Sequence, residues 1–532
     1  MSAIHDHKTL VKNLLRQNLD TDSSLHAESI ETHISNVLLA GEFAYKLKKP
    51  VNFGFLDFTQ LSDRKYYCEE EIRLNSRLAP SLYLESIPVT GTLQNPSLNG
   101  TGPIIDYAVK MRRFDQSGML NNLRLAGELS EQIIDQLADK IARFHQSIPC
   151  TESDEPYAKG DSVLKPMQQN FEQINALIST PGDRQSLATL SDWTQKQFTL
   201  LTTDLENRRQ QGFIRECHGD MHLGNMLIEN RQVIIFDGIE FNKDLRWIDV
   251  ISELAFVCMD LDASAEYALS SRLLNRYLEN TGDYAALRLL RFYQLYRAMV
   301  RAKVATLSLN EKGLDNEKKD SLQSQYQTYI QLGLQYIQPP APRIYLMYGV
   351  SGSGKSTVSD ELLQRLGAVR IRSDRERKRL FAENTHDNDK LNSGLYDPDI
   401  TNKTYLHLLG LSEIIVGAGF TVIVDATFLK QEQRKPFHDM AHKKGVPVTV
   451  IQLEATLQNL ERRVKIRQQD ENNISDATLD VISQQLAEAE PPEANETCLL
   501  IHTDRNIDYE RVVQDLEITI RTSLTVPGKV ID

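Results

Sequence analysis

The sequence predicts a multidomain chain of α/β and α+β class. Its N-terminal part has two lobes, a small one built of short strands and a larger helical one. Its C-terminal part is a parallel sheet flanked by helices. Three observations carry this reading. The run QPPAPRIY places Pro339, Pro340 and Pro342 where no helix continues. The texture changes from strand-like to helical near residue 115. Beyond the prolines, an apolar run, a glycine-rich loop and a helical pattern follow one another directly.

Before residue 115 the runs SNVLLA, FAYKLKK, YLESIPVT and IIDYAVKMRRF read as strands, interrupted by one helical pattern at about 60–79. After it come long amphipathic patterns, from SEQIIDQLADKIARFH through LRLLRFYQLYRAMVRAKVATL. The prolines then act as a short stiff connector. The expected division is therefore 1–338, with a small lobe over about 25–115 and a helical lobe over about 116–338, followed by 343–532. A length of 532 residues agrees with at least two domains.

Composition excludes several classes of function. With 60 Lys+Arg against 73 Asp+Glu the net charge is −13, so no broad basic field exists to coat nucleic acid. Hydrophobic residues at 41% and charged residues at 25% are ordinary for a globular chain. The five cysteines (Cys68, Cys150, Cys217, Cys258, Cys498) are far apart, which argues against a disulfide framework or a zinc ribbon. The start lacks a signal-type apolar region, and no run approaches the length of a membrane span. The expectation is a cytoplasmic protein with no membrane association.

GVSGSGKST fits G-x-x-x-x-G-K-[ST], with Gly349, Gly354, Lys355 and Ser356 at the fixed positions. Together with Ser351, Gly352, Ser353 and Thr357 they form a loop whose backbone N–H groups turn toward phosphate oxygens. Lys355 adds a positive charge there, and the Ser356 hydroxyl reaches Mg²⁺. The strand AVRIR leads into Ser373, a good helix cap, which sets Asp374 and Arg377 one turn apart on one face. A carboxylate there can accept a hydroxyl proton, and the arginine can hold the moving phosphoryl group. Positions 370–379 hold six basic and two acidic residues, a local positive patch. Asp425, ending TVIVD, either enters the Mg²⁺ shell or orients Arg377 and Thr427. Arg463 and Arg467 lie at i and i+4 on one helical face, a pattern suited to a lid over the phosphates. In that order, GVSGSGKST, RSDRERKRLF, VDATFLKQEQR and RRVKIRQQDENNISDATL resemble the P-loop kinases that include polynucleotide 5′-kinases and gluconate kinases. The resemblance covers most of 343–532. It implies Lys355 and Ser356 on ATP–Mg²⁺, Asp374 as general base, Arg377 on the substrate side and Arg467 in a lid.

HGDMHLGNMLI followed by VIIFDGIEF is the second constellation. Two short strands around this loop would bring Asp220, Asn225 and Asp237 together, one carboxylate for a hydroxyl proton and an amide plus a carboxylate for Mg²⁺. His218 is read as a brace for the loop, and His222 is left open. Lys46 and Lys48 share one face of their strand. Glu71 lies on the stripe of Tyr67, Leu74 and Leu78, so it is paired here with Lys46. Residues 25–335 resemble the aminoglycoside phosphotransferase and choline kinase group, which shares the protein-kinase fold. The segments THISNVLLAGEFAYKLKKPVNFGFLDF and CEEEIRLNSRLAPSLYL look like a bacterial subgroup often fused to an AAA-family, ATPase-like P-loop kinase domain. The resemblance implies Asp220 as catalytic base, Asn225 and Asp237 as Mg²⁺ ligands, and Lys46 on ATP. It departs from the group in having only Gly41 ahead of FAYK and FDG in place of DFG.

The expectation is a fusion of two ATP-dependent phosphotransferase modules. Each binds ATP and Mg²⁺ and transfers the γ-phosphate to a hydroxyl of a small molecule or nucleotide. One alternative is a polynucleotide kinase acting on 5′-hydroxyl nucleic-acid ends through the C-terminal module. The other is an N-terminal module that binds nucleotide without catalysis and regulates the C-terminal kinase. Glu240, Trp247 and Asp249 are candidates for a substrate pocket in the helical lobe.

Overall fold

The computed structural model describes residues 2–17, 28–54, 56–152, 155–311, 313–381, 398–467 and 479–523. Compactness divides the chain into two units. One comprises residues 1–260 with 292–330, the other 261–291 with 331–532.

The first unit opens with a helix, Ser2–Gln17, and a six-stranded sheet in the order β1-β2-β3-β6-β4-β5. The strands are β1 (Glu28–Glu31), β2 (Ser35–Ala40), β3 (Phe43–Lys48), β4 (Tyr83–Gly91), β5 (Pro96–Leu98) and β6 (Ile104–Arg112). All pairs are antiparallel. One face buries Leu38, Leu47, Ile87, Val89 and Ala108 against Leu10, Val11 and Leu14 of the first helix. Against the sheet packs α1 (Leu61–Asn75), whose buried stripe is Arg64, Cys68, Glu71, Leu74 and Asn75. Steps of four, three, three and one residue keep this stripe on one face of the helix, and it carries Glu71 inward as its sequence stripe predicts.

The helical lobe contributes Glu131–Ser147, capped by the Ser130 hydroxyl, and the 30-residue helix Pro181–Gln210, capped by Thr180 with proline in its first turn. Strand β7 (Ile214–Glu216) pairs with β10 (Trp247–Asp249), and β8 (Met226–Glu229) with β9 (Gln232–Ile235). In the second ladder Met226 lies opposite Ile235, so the residues just outside it, Asn225 and Phe236, are neighbours.

The second unit is a five-stranded parallel sheet in the order β12-β13-β11-β14-β15. Its strands are β11 (Ile344–Tyr348), β12 (Val369–Arg372), β13 (Val422–Asp425), β14 (Val448–Glu454) and β15 (Cys498–His502). β11 is buried at every position, as a central strand covered on both faces requires. The helix before the prolines ends at Ile337, so they do stop it.

By compactness alone the division differs from a single cut near residue 340, with Leu261–Arg291 grouping with the C-terminal sheet. This segment includes α2 (Tyr267–Thr281) and the start of α3 (Leu287–Leu309). The physical reason is pairing along a sheet edge. Asn275 Nδ2 donates to the Ala368 carbonyl (2.9 Å), and its Oδ1 accepts from the Arg370 N–H (2.7 Å). A side-chain amide thus satisfies backbone groups of the edge strand β12.

Candidate active sites

In the first unit the sheet, α1 and the loop after β9 converge on one charge cluster. Lys46 Nζ donates to Glu71 Oε1 (2.8 Å) and Asp237 Oδ1 (2.5 Å). Lys48 Nζ donates to Glu71 Oε2 (2.7 Å) and to Glu240. Glu71 is fully buried, so its two oxygens are held by two lysines rather than by water. Burial opposes its charge, but Lys46 and Lys48 outweigh it and lower its pKa to about 2. Burial equally opposes the Lys46 charge, and Asp237 and Glu71 raise its pKa well above the ordinary lysine value. The predicted Lys46–Glu71 pair is present. The second half of the network, Lys48 with Glu240, is absent from the sequence reading, which set Glu240 in a substrate pocket.

Asp220 stands in the loop before β8, and Asp237 follows β9. Asn225 Nδ2 donates to the Asp220 carbonyl (3.0 Å) and to its Oδ2 (3.2 Å). An amide whose N–H groups are spent this way keeps its oxygen for a cation. His218 braces the loop, its Nε2 against the Phe236 carbonyl (2.8 Å), while the Ile239 N–H donates to the His218 carbonyl (2.9 Å). His222 is 3.5 Å from Asp220 Oδ2 and accepts the Gly224 N–H on Nδ1 (3.1 Å). Burial alone would raise the Asp220 pKa, but His222 next to it holds the carboxyl well below the ordinary carboxylate range. Behind the loop, Glu253 accepts from the Gly219 N–H (2.7 Å) and meets His145 Nε2 (2.9 Å). Asp237 sits at φ +62°, a left-handed conformation that aspartate tolerates better than most residues.

Asp249 is buried, with both carboxylate oxygens engaged. Arg208 holds both its oxygens (2.7 and 2.8 Å), and it caps the following helix through the Ile251 N–H (3.0 Å). Trp247 stacks on Tyr157, with centroids 5.4 Å apart. Neither pairing was legible, because each partner lies tens of residues away.

In the second unit the loop after β11 runs into α4 (Lys355–Leu366). Gly349, at φ +153°, has no room for a side chain, since an added Cβ would come within 2.5 Å of Ser353 Oγ. Lys355 Nζ donates to the carbonyls of Gly349 and Val350, both at 2.9 Å. Ser353 Oγ is buried with no hydrogen-bond partner among the described residues. A cradle too tight for a Cβ, a lysine over it and an unsatisfied hydroxyl suit the phosphates of a nucleotide.

Asp425 ends β13 in register with Arg372 of β12. Its Oδ2 accepts from Ser359 Oγ (3.4 Å) and lies 3.7 Å from Arg372 Nε. It therefore faces α4, while Thr427 turns to Tyr405 instead (3.2 Å). Asp374 and Arg377 stand on α5 (Ser373–Phe381), which begins at Ser373 itself rather than after it. Burial pushes the Asp374 carboxyl up and the Asp425 charge adds to this, against Arg377, Arg372 and Lys355. The same Asp374 and Arg377 charges act on Tyr405, on α6 (Pro398–Gly417), a neighbour that sequence reasoning missed.

The positive patch at 370–379 is largely neutralised within the unit. Glu279 holds Arg370 (2.8 Å) and faces Arg375 (3.6 Å), and Glu376 pairs with Arg379. Arg463 lies on α7 (Leu457–Arg467). It donates to the Gly352 carbonyl (3.2 Å), Thr503 Oγ1 (2.9 Å) and the Thr503 carbonyl (2.6 Å), which fastens α7 to the loop. The Arg467 side chain lies outside the described residues. Gly354, Thr357, Val358, Arg463, Ile466, Thr503, Ile507 and Tyr509 line a cavity of about 310 Å³ next to the loop. No helix among the described residues is long and apolar enough to cross a membrane.

Comparison with known proteins finds a family match in each part of the chain. Residues 67–290 match the model of the phosphotransferase enzyme family, and residues 344–492 match that of an AAA domain. Uncharacterized proteins of Mycobacterium tuberculosis and Mycobacterium bovis are 28% identical over 457 residues, 85% of this chain and 88% of theirs. Among solved structures, an amicoumacin kinase is 11% identical with a TM-score of 0.38, covering 61% of this chain and 93% of its own. The APS kinase of Mycobacterium tuberculosis is 19% identical with a TM-score of 0.26, covering 34% of this chain and 99% of its own.

Proposed function

We propose that this chain, an ATP-dependent phosphotransferase with a phosphotransferase-family match and an AAA-domain match, carries two working sites that each pass a phosphoryl group to a small-molecule hydroxyl. Bound ATP with Mg²⁺ supplies the γ-phosphoryl group; the residues of the chain do the rest. The observation that carries the reading is the convergence at the first site. Lys46, Glu71 and Asp237, up to 191 residues apart, share hydrogen bonds, and Asn225 joins Asp220 on the adjoining loop.

In the first site Lys46 is the cation for the nucleotide phosphates, with Glu71 holding it in place. Asp237 and Asn225 offer hard oxygen ligands suited to Mg²⁺. Asp220 orients the acceptor hydroxyl and takes its proton as the new O–P bond forms and the bond to the leaving ADP oxygen breaks. In the second site the loop N–H groups and Lys355 receive the phosphates, and Ser356 and Asp425 offer oxygens to the cation. Asp374 accepts the hydroxyl proton, and Arg377 balances charge on the phosphoryl group. Arg467 enters only as the lid residue that the resemblance implies.

A small acceptor is favoured over a 5′-hydroxyl nucleic-acid end because Glu279 and Glu376 already engage the arginines that a polynucleotide would need. The test is ATP consumption by the full chain and by Asp220→Asn, Lys355→Ala and the double variant. Sugars, aminoglycosides, nucleosides and 5′-hydroxyl oligonucleotides serve as acceptors. Each single variant should keep one acceptor-dependent activity and the double variant none. An Asp220→Asn variant equal to the parent with every acceptor would reduce the first site to a binding module. Stimulation by the oligonucleotide alone, lost in Asp374→Ala, would restore the nucleic-acid reading.

A further inference from the structure

All but the last residue of segment 261–291 lies inside the phosphotransferase-family match, which ends at residue 290, yet the segment is compact with the P-loop sheet. Its helix α2 places Asn275 and Glu279 one turn apart, both buried. Asn275 holds the edge of β12 as described above. The Glu279 carboxylate accepts from Arg370 Nε (3.1 Å) and Nη2 (2.8 Å), and its other oxygen lies 3.6 Å from Arg375 Nε. The Glu279 carbonyl accepts from Arg379 Nη2 (2.6 Å). Arg370 in turn reaches α4, through Ser359 Oγ (3.3 Å) and Asp360 Oδ1 (3.2 Å). Just beyond α2, Tyr284 Oη donates to Glu376 Oε1 (3.3 Å), and His407 of α6 meets the other oxygen of Glu376 (3.2 Å).

These contacts share a geometry. Arg375, Glu376 and Arg379 lie on the parts of α5 that leave Asp374 and Arg377, three residues apart, on their own face. One buried carboxylate ties three things together: the strand that feeds α5, the helix α5 itself, and the helix that follows the phosphate loop. A buried charge held by two arginines is costly to move, so it fixes position better than an apolar contact would.

We propose that Glu279 is a positioning residue of the P-loop site. Acting through Arg370 and Arg375, it sets the distance and angle between α5, which bears Asp374 and Arg377, and the phosphate loop. The P-loop site is thus completed by a helix that precedes its own domain in sequence. This rests on the reading of Asp374 and Arg377 as the acceptor-side pair of that site.

The experiment uses the full chain in an Asp220→Asn background, so that only the P-loop site turns over. Two readouts are taken: ADP release from Mg–ATP with water as acceptor, and amide hydrogen exchange of the ligand-free chain over 369–381. Glu279→Gln should lower turnover about 10- to 100-fold, the effect expected of a misplacement near 1 Å, with the KM for ATP within about twofold of the parent. Exchange should rise in 369–381 and not in β11 or β14. The double variant Glu279→Gln/Arg370→Met removes the closely paired charges together and leaves Arg375, whose side chain is 24% exposed, to solvent. It should regain the parental midpoint of thermal unfolding while turnover stays low and exchange stays raised. Arg291→Ala is the structural control. That residue donates to the Ala418 and Gly419 carbonyls (3.1 and 3.0 Å) from the same segment without touching α5, so it should lower the midpoint and leave turnover unchanged. Parental exchange over 369–381 in Glu279→Gln, or turnover that returns together with the midpoint in the double variant, would overturn the proposal. If Lys355→Ala leaves the background turnover intact, the P-loop reading itself fails, and the exchange result still judges Glu279.

Discussion

Replacing Lys48 with methionine is the sharpest perturbation of the first site, because it removes charge without removing bulk. In the native cluster two cations, Lys46 and Lys48, face three carboxylates, Glu71, Asp237 and Glu240. Lys48→Met leaves one cation for the same three. Glu240 is only 4% exposed and loses its partner outright, while Glu71, fully buried, keeps Lys46 alone. Breaking one side of a buried pair costs about 3–5 kcal/mol. For a unit of this size that is a drop on the order of 10 °C in its unfolding midpoint. Both tryptophans, Trp193 and Trp247, lie in the first unit, so their fluorescence follows its unfolding alone. Burial already raises the Glu240 pKa, with Lys48 opposing it, and loss of Lys48 raises it further. A carboxyl raised on folding above its unfolded value of about 4.3 gives its stability below that value and withdraws it as pH climbs through the folded one. The deficit of Lys48→Met should therefore be smallest near pH 4 and grow toward neutrality. Lys48→Met/Glu240→Gln should recover most of it. A loss under about 1 kcal/mol, a deficit flat in pH, or no recovery in the double variant would refute the reasoning.

Two further substitutions test other parts of the account. At Gly352, φ is +83° and an added Cβ would lie 3.3 Å from the Leu460 carbonyl and 3.4 Å from Val464 Cγ2. Gly352→Ala should weaken Mg–ADP binding at the P-loop about tenfold by calorimetry, from about 1–3 kcal/mol of backbone strain, and leave the first site unaffected. Asp249→Asn strips a buried Arg208 of its charged partner and should lower the tryptophan-reported midpoint. The KM of the first site for its acceptor should stay at the parental value, since Asp249 faces Arg208 and the helix N-terminus.

Local spacing made much of this molecule legible. The phosphate loop, the turn carrying Asp220 and Asn225, and the strand ending at Asp425 are each written within about ten residues. The inward face of α1 is a helical stripe, and it gave the Lys46–Glu71 pair. What spacing could not show is pairing across long stretches of chain. Lys48 meets Glu240 192 residues away and Arg370 meets Glu279 91 residues away. A basic run such as 370–379 looks like a patch only while its acidic partners are out of sight. The contacts of Arg463 are out of sight for the same reason, since Thr503 and Gly352 lie 40 and 111 residues from it. The division at the prolines was a sound place to end a helix, but compactness follows side-chain pairing, and Asn275 and Glu279 pair forward.

The central claim is that one chain holds two separate nucleotide sites. Calorimetric titration of the full chain with a non-hydrolysable ATP analogue and Mg²⁺ measures this directly. The account predicts two equivalents bound by the parent, one by Lys355→Ala and one by Asp237→Asn. A parent that binds a single equivalent, lost completely in Lys355→Ala and untouched in Asp237→Asn, would contradict it.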